Sequence, residues 1–306
     1  MVEGLGFVMR RCASAAATLV LCSLIIFSAV HALPGGYADV FLGAYATPEA
    51  KARIEQQFGL NAPLPTQYVK WLASAARGDF GVSLVTQKPV ADEFAVRVPV
   101  TATIAGLAAA LAIVLGAPLG MLGGIARGTG ILHALSRIVG SLAISVPDFV
   151  IGALLLFTVA KLAPSAASLS TTLLPALSLS ALGVGLVVTA ARHSSVAASK
   201  GPWVMTAVAR GTAPWTILHR HIFRNAAIPV VTVFGVYFGY LLGGTAIVEQ
   251  TFTVPGVGRY LLQAVQLRDY PVVQAGALVA ASVFVVLNLS VDLLYGWLDP
   301  RIRTER

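Results

Sequence analysis

The chain has 306 residues, 57% hydrophobic and 11% charged, with a formal net charge of +8 and a mean hydropathy of +0.82. A soluble domain carries roughly 25% charged residues, so a soluble globular protein is excluded and lipid is the solvent for most of the chain. The basic excess lies in short clusters between apolar runs rather than on one soluble face, which points to membrane topology and away from nucleic acid.

Six stretches, residues 12–33, 98–126, 138–160, 173–191, 226–248 and 271–291, are nearly free of charge. Each is long enough to cross a hydrocarbon layer of ~30 Å. Their apolar character is continuous rather than alternating, which predicts helices and not a β-barrel. The expected fold class is an all-α integral membrane protein with six transmembrane helices. Residues 12–33 follow Arg10 and Arg11 and could be read as a signal peptide, but an h-region spans only about 7 to 15 residues, so a retained helix is expected. Cys12 and Cys22 share that run about 15 Å apart along a helix, too far for a mutual disulfide.

Residues 34–97 balance six basic against six acidic side chains and are expected outside the membrane. Thr47, Pro48 and Glu49 predict a helix start with Gly59 as its stop, and a second short helix is predicted from Thr66 towards Arg77, ended by Gly78. Further along come Arg127 and Arg137, then Arg192, Lys200, Arg210, Arg220 and Arg224, then Arg301, Arg303 and Arg306. With all clusters in the cytoplasm both termini are cytoplasmic. The resulting division is 1–33 (tail and first helix), 34–97 (extracytoplasmic), 98–298 (a five-helix core with a cytoplasmic loop at 193–225) and 299–306 (cytoplasmic tail).

Gly116, Gly120 and Gly124, and again Gly235, Gly239 and Gly243, recur every four residues. Four residues advance about 400° on a helix, so each set forms a ridge that a neighbouring backbone can approach, within this chain or on a partner. Asp148 lies mid-run, where an ionised carboxylate costs about 2.5 to 3.5 kcal/mol. It should face a cavity or find a partner, as a translocation-path residue or as a hydrogen-bonded packing residue. Glu249 and Asp292 are expected at the interface. The five histidines do not cluster with carboxylates or cysteines at ligand spacing, so no metal site is expected.

In the loop at 201–225, Gly211 reads as a helix stop, and Thr212, Ala213 and Pro214 offer a cap and a first-turn proline for a second short helix. That helix would carry Trp215, Leu218 and Ile222 on one face and Arg220 and Arg224 on another. By itself this is a basic interfacial anchor or a docking surface. No G-x-x-x-x-G-K-[ST], H-E-x-x-H or G-x-S-x-G occurs, so the chain has no P-loop of its own and is not expected to be an enzyme.

At these residues the chain resembles the permeases of the dipeptide, oligopeptide and nickel branch of bacterial ABC importers. AVARGTAPWTILHRHIFRNAAIPVVTVFG, residues 207–235, resembles that branch's cytoplasmic EAA loop, which docks an ATPase and couples hydrolysis to channel opening. Three further blocks agree: GLNAPLPTQYVKWLASAARGDFGVSL from Gly59, VEQTFTVPGVGRYLLQAVQLRDYPVVQA from Val248 and LLYGWLDPRIR from Leu293. The resemblance implies a type I importer permease whose coupling residues include Ala207, Arg210, Gly211, Thr212, Pro214, Arg220, Arg224 and Pro229. The general pattern's Glu falls at Met205 and its Ala at Thr206, so coupling through a carboxylate there is not implied. The implied partners are a second homologous permease, two ATPase subunits that carry ATP and Mg, and an extracytoplasmic binding protein. No cofactor on this chain is implied. Short peptides are the expected cargo, with nickel complexes or haem as alternatives, and an ATPase-independent channel or proton-coupled carrier using Asp148 as the reading from another class.

Overall fold

A computed structural model describes residues 2–32, 42, 47–57, 61–126, 130–162 and 171–298. Gly59, Arg127 and the tail at 299–306 lie outside the described residues, as does the side chain of Asp292. The described chain is helical apart from its turns and one isolated bridge between Val82 and Pro89. In order the helices are α1 (Val2–His31), α2 (Pro48–Gln57), α3 (Leu64–Ala76), α4 (Val90–Ile125), α5 (Ile131–Ser145), α6 (Asp148–Leu162), α7 (Leu173–Ser199), α8 (Pro202–Ala209), α9 (Pro214–Thr216), a π-helical segment (Ile217–Phe223), α10 (Arg224–Thr251), α11 (Val257–Gln266) and α12 (Tyr270–Leu298). Among the described residues five helical spans are long and apolar enough to cross a membrane, and the pair α5 and α6 makes a sixth if it counts as one bent span.

The chain divides into two compact units, residues 1–98 with 260–306, and residues 99–259. In the first, α1 packs along α12. Phe27 of α1 sits against Tyr68 and Trp71 of α3, Ser23 Oγ meets the Tyr68 hydroxyl at 2.8 Å, and α3 is thereby held to α1. Thr47 caps α2 by accepting the Ala50 N–H (3.2 Å) ahead of Pro48, and α3 starts two residues before Thr66 and ends in a turn at Gly78, φ +83°. The buried Asp269 carboxylate accepts from the Ser83 hydroxyl (2.5 Å) and the Leu84 N–H (3.0 Å), tying the turn before α4 to the start of α12.

In the second unit α7 is the most enclosed helix, flanked by α5, α6 and α10. Alanines do much of the work: Ala108, Ala109 and Ala112 of α4 form one core with Leu174 and Leu179 of α7 and with Tyr237, Leu241 and Val248 of α10. Small side chains let helices approach where lipid supplies no hydrophobic drive between them. Large apolar residues such as Val114, Leu154, Phe157 and Val236 point outward, as a surface solvated by acyl chains requires.

Three expectations are corrected. The run at 138–160 is not one helix: it breaks between Ser145 and Asp148, and α5 and α6 meet at 99°. Val146 precedes Pro147 and is pushed to extended backbone (φ −97°, ψ 122°), because the proline ring crowds a helical residue before it. The second loop helix is not separate either; from Pro214 the helix continues through the π segment into α10. Finally, Glu249 is fully buried rather than interfacial, because the Thr101 hydroxyl and the Arg259 N–H in the first turn of α11 supply its hydrogen-bond donors.

Candidate functional site

The loop between α7 and α10 is built on a glycine turn. Helix α8 ends at Arg210; the Gly211 N–H donates to Val208 (2.9 Å) and the Thr212 N–H to Ala207 (3.1 Å), the paired bonds of a Schellman cap. Gly211 takes φ +70°, a left-handed conformation that glycine adopts without cost and a β-branched residue does not. Ala213 is extended before Pro214, which opens the next helix at its first turn.

Beyond Thr216 the winding changes. Ile217 and Ile222, five residues apart, are both buried and pack with Ala198, Val204 and Ala207. On an α-helix residues five apart diverge by about 140°, but a π-helix bonds i to i+5 and brings them onto one face. The face expected from α-helical spacing is therefore redistributed: Ile222 is buried, Leu218 half-buried and Trp215 exposed. Arg210, Arg220 and Arg224 are all exposed, and Thr212 is half-buried. Ala207 lies inside the cluster, while Pro214 and Pro229 are exposed. The sequence carries no signal for the π turn that α-helical periodicity could detect.

Asp148 heads α6 directly after the break and is 6% exposed. Its Oδ1 accepts the Phe149 N–H (2.8 Å), its Oδ2 accepts the Tyr240 hydroxyl (2.8 Å), and its backbone carbonyl accepts the Ser178 hydroxyl (2.5 Å). Tyr237 stacks on Tyr240 at 6.4 Å between centroids and donates its hydroxyl to the Leu179 carbonyl (3.0 Å). Tyr240 and Ser178 are functional candidates that sequence reasoning misses, since nothing in a hydropathy pattern pairs residues 92 apart.

The glycine ridges differ. A Cβ on Gly116 would lie 2.9 Å from Val187, one on Gly120 would collide with the Val188 carbonyl, and one on Gly124 would lie 2.5 Å from the Arg192 carbonyl, so α4 presses its ridge onto the backbone of α7. Gly235 and Gly239 are half-buried, and Gly243 has nothing within 4 Å. Among the described residues no group of three or more His, Cys, Asp or Glu side chains could hold a metal ion.

An all-helical chain with apolar spans, a broken span and an exposed basic loop matches a known class. The profile of the family described as "Binding-protein-dependent transport system inner membrane component" matches residues 99–304, and its companion, "Binding-prot-dependent transport system membrane comp, N-term", matches residues 4–105. The chain belongs to this family, and its fold class is that of a type I ABC importer permease. It is a multi-pass inner-membrane protein that works with an ATPase and a binding protein. Over 98% of its length it is 36% identical to the glutathione transport system permease protein GsiC of Escherichia coli (strain K12), with 99% of that protein covered. It is 33% identical over 97% of its length to the probable peptide ABC transporter permease protein y4tP of Sinorhizobium fredii (strain NBRC 101917 / NGR234), and 31% identical over 98% to the dipeptide transport system permease protein DppB of Alkalihalophilus pseudofirmus. Each of these is covered over 99% of its own length.

Proposed function

We propose that this permease moves short peptides into the cytoplasm, taking them from an extracytoplasmic binding protein and drawing energy from separate ATPase subunits. The observation that carries the cargo is end-to-end similarity to proteins named for glutathione, dipeptide and peptide transport. Nickel complexes and haem have no such support among these relatives. A second homologous permease completes the pore, and two ATPase subunits hold ATP and Mg; this chain holds neither and catalyses no reaction itself. Both termini and the loop at 201–225 face the cytoplasm, in keeping with the alternation of arginine clusters.

The energy enters through the loop. A chain without a nucleotide site must receive energy through a surface, and Arg210, Arg220 and Arg224 with the Gly211 turn form an exposed one that leads directly into α10. Asp148 is the polar group of the translocation path; it is itself buried, and the exposed Tyr240 donates its hydroxyl to the carboxylate. Titrating the purified partner binding protein with dialanine, trialanine, glutathione, a nickel complex and haem tests the cargo. Saturable binding of the peptides is expected, and binding of haem or nickel alone would contradict it.

A further inference from the structure

We propose that the Tyr240 hydroxyl is a positioning group that ties α10 to the break in the α5–α6 span, so that movement of α10 passes to α6 through Asp148. This rests on the reading of the 201–225 loop as the entry point for energy. Asp148 stands where such a tie must act, as the first residue of α6, one residue past Pro147, with three hydrogen bonds that reach its own helix, α7 and α10. A turn before Tyr240, Tyr237 binds the backbone of α7, so α10 meets α7 and α6 at successive turns. A turn beyond Asp148, a Cβ on Gly152 would lie 2.8 Å from both the Phe252 ring and Ser178 Oγ. The head of α6 therefore has little room to slide without moving its neighbours.

The tie is also a switch element by its chemistry. A hydroxyl donated to a carboxylate in apolar surroundings is a strong hydrogen bond, and separating the two leaves a buried charge short of a donor. Intermediate geometries are thus costly, and the pair favours being either made or fully replaced. Between the Gly211 turn and the tie lies the π segment, wound more loosely than the α-helix on either side. Any change of winding there turns α10 about its axis and moves Tyr240 against Asp148.

The test places spin labels at the exposed positions Leu154 on α6 and Val236 on α10, with Cys12 and Cys22 replaced by serine. The assembled complex with its ATPases, in lipid nanodiscs, is measured without nucleotide and trapped with ATP and vanadate. Wild type is expected to give one narrow distance in each state, and the two to differ. Tyr240→Phe, with the ATPases still co-purifying, should lower the population of the tied arrangement about tenfold, the scale of a lost hydrogen bond to a charged group, and give a broad distribution that trapping no longer shifts. Asp148→Asn keeps an acceptor for the hydroxyl and should stay narrow. Wild-type distances in Tyr240→Phe, or one unchanged distance in both states of wild type, would overturn the proposal. Gly211→Val separates it from the loop reading: a narrow distance that trapping fails to shift means the drive is lost and the tie intact. Normal shifting in Gly211→Val with broadening in Tyr240→Phe would instead sink the loop and keep the tie.

Discussion

Thr101 donates its hydroxyl to the Glu249 carboxylate at 2.6 Å and accepts the Val257 N–H at 2.9 Å, while the Arg259 N–H donates to the other carboxylate oxygen at 2.9 Å. Glu249 is 0% exposed and stands at the N-terminus of α11, where unpaired N–H groups and the helix dipole favour an anion. Glu249→Ala would leave buried donors unpaired at about 1 to 3 kcal/mol each, so the purified protein should melt well below wild type. Gly256→Ala should act in the same direction, because a Cβ there would run into that carboxylate. A Glu249→Ala protein as heat-stable as wild type would show the cluster to be dispensable.

The two glycine ridges should respond differently to alanine. Gly120→Ala forces α4 away from the Val188 carbonyl, and overpacking of this kind costs about 1 to 3 kcal/mol. Gly243→Ala meets open space within the chain and should be neutral or stabilising by up to about 1 kcal/mol, the helix-propensity difference. Thermal unfolding of the isolated chain in detergent checks both. Equal losses would contradict the packing described.

The proposed orientation predicts that single cysteines at Gln56 and Ala213 react from opposite sides of intact cells. Both positions are exposed, so accessibility does not confound the comparison. Labelling of both from one side would refute the topology.

Arg220→Glu combined with Arg224→Glu should weaken ATPase docking and reduce its dependence on salt, since exposed charges at an interface act mainly through steering. Each exposed pair contributes only about 0.2 to 1 kcal/mol, so co-purification of the ATPases should fall without vanishing at low salt. Unchanged docking together with reduced membrane insertion would assign the arginines to topology alone.

Much of this architecture is legible in the residues. Long uncharged runs identify spanning helices because lipid leaves the backbone no other partner, and Thr47 with Pro48 and Gly78 mark two short helices through capping chemistry. Hydropathy fails where it has no resolution. Pro147 sits within an apolar run, so the break is hidden although the proline itself signals one. Glu249 reads as interfacial because its donors, Thr101 and the Arg259 backbone, are distant in sequence or carried by the main chain. Ile217 and Ile222 share a face only in π winding, whereas α-helical periodicity groups Ile222 with Trp215, which is exposed. Tyr240 is invisible for a related reason, since pairing with Asp148 depends on how α6 and α10 pack.

The loop around Gly211 is proposed to transmit the ATPase cycle to the pore, and the deciding measurement is ATPase activity stimulated by the loaded binding protein in purified complexes. Gly211 at φ +70° tolerates asparagine far better than valine, whose left-handed conformation costs roughly 1 to 2 kcal/mol or more. Gly211→Val complexes, assembled to wild-type abundance, should lose most of the stimulation and of peptide uptake, while Gly211→Asn should retain both. Normal stimulation and normal uptake in Gly211→Val would contradict the account.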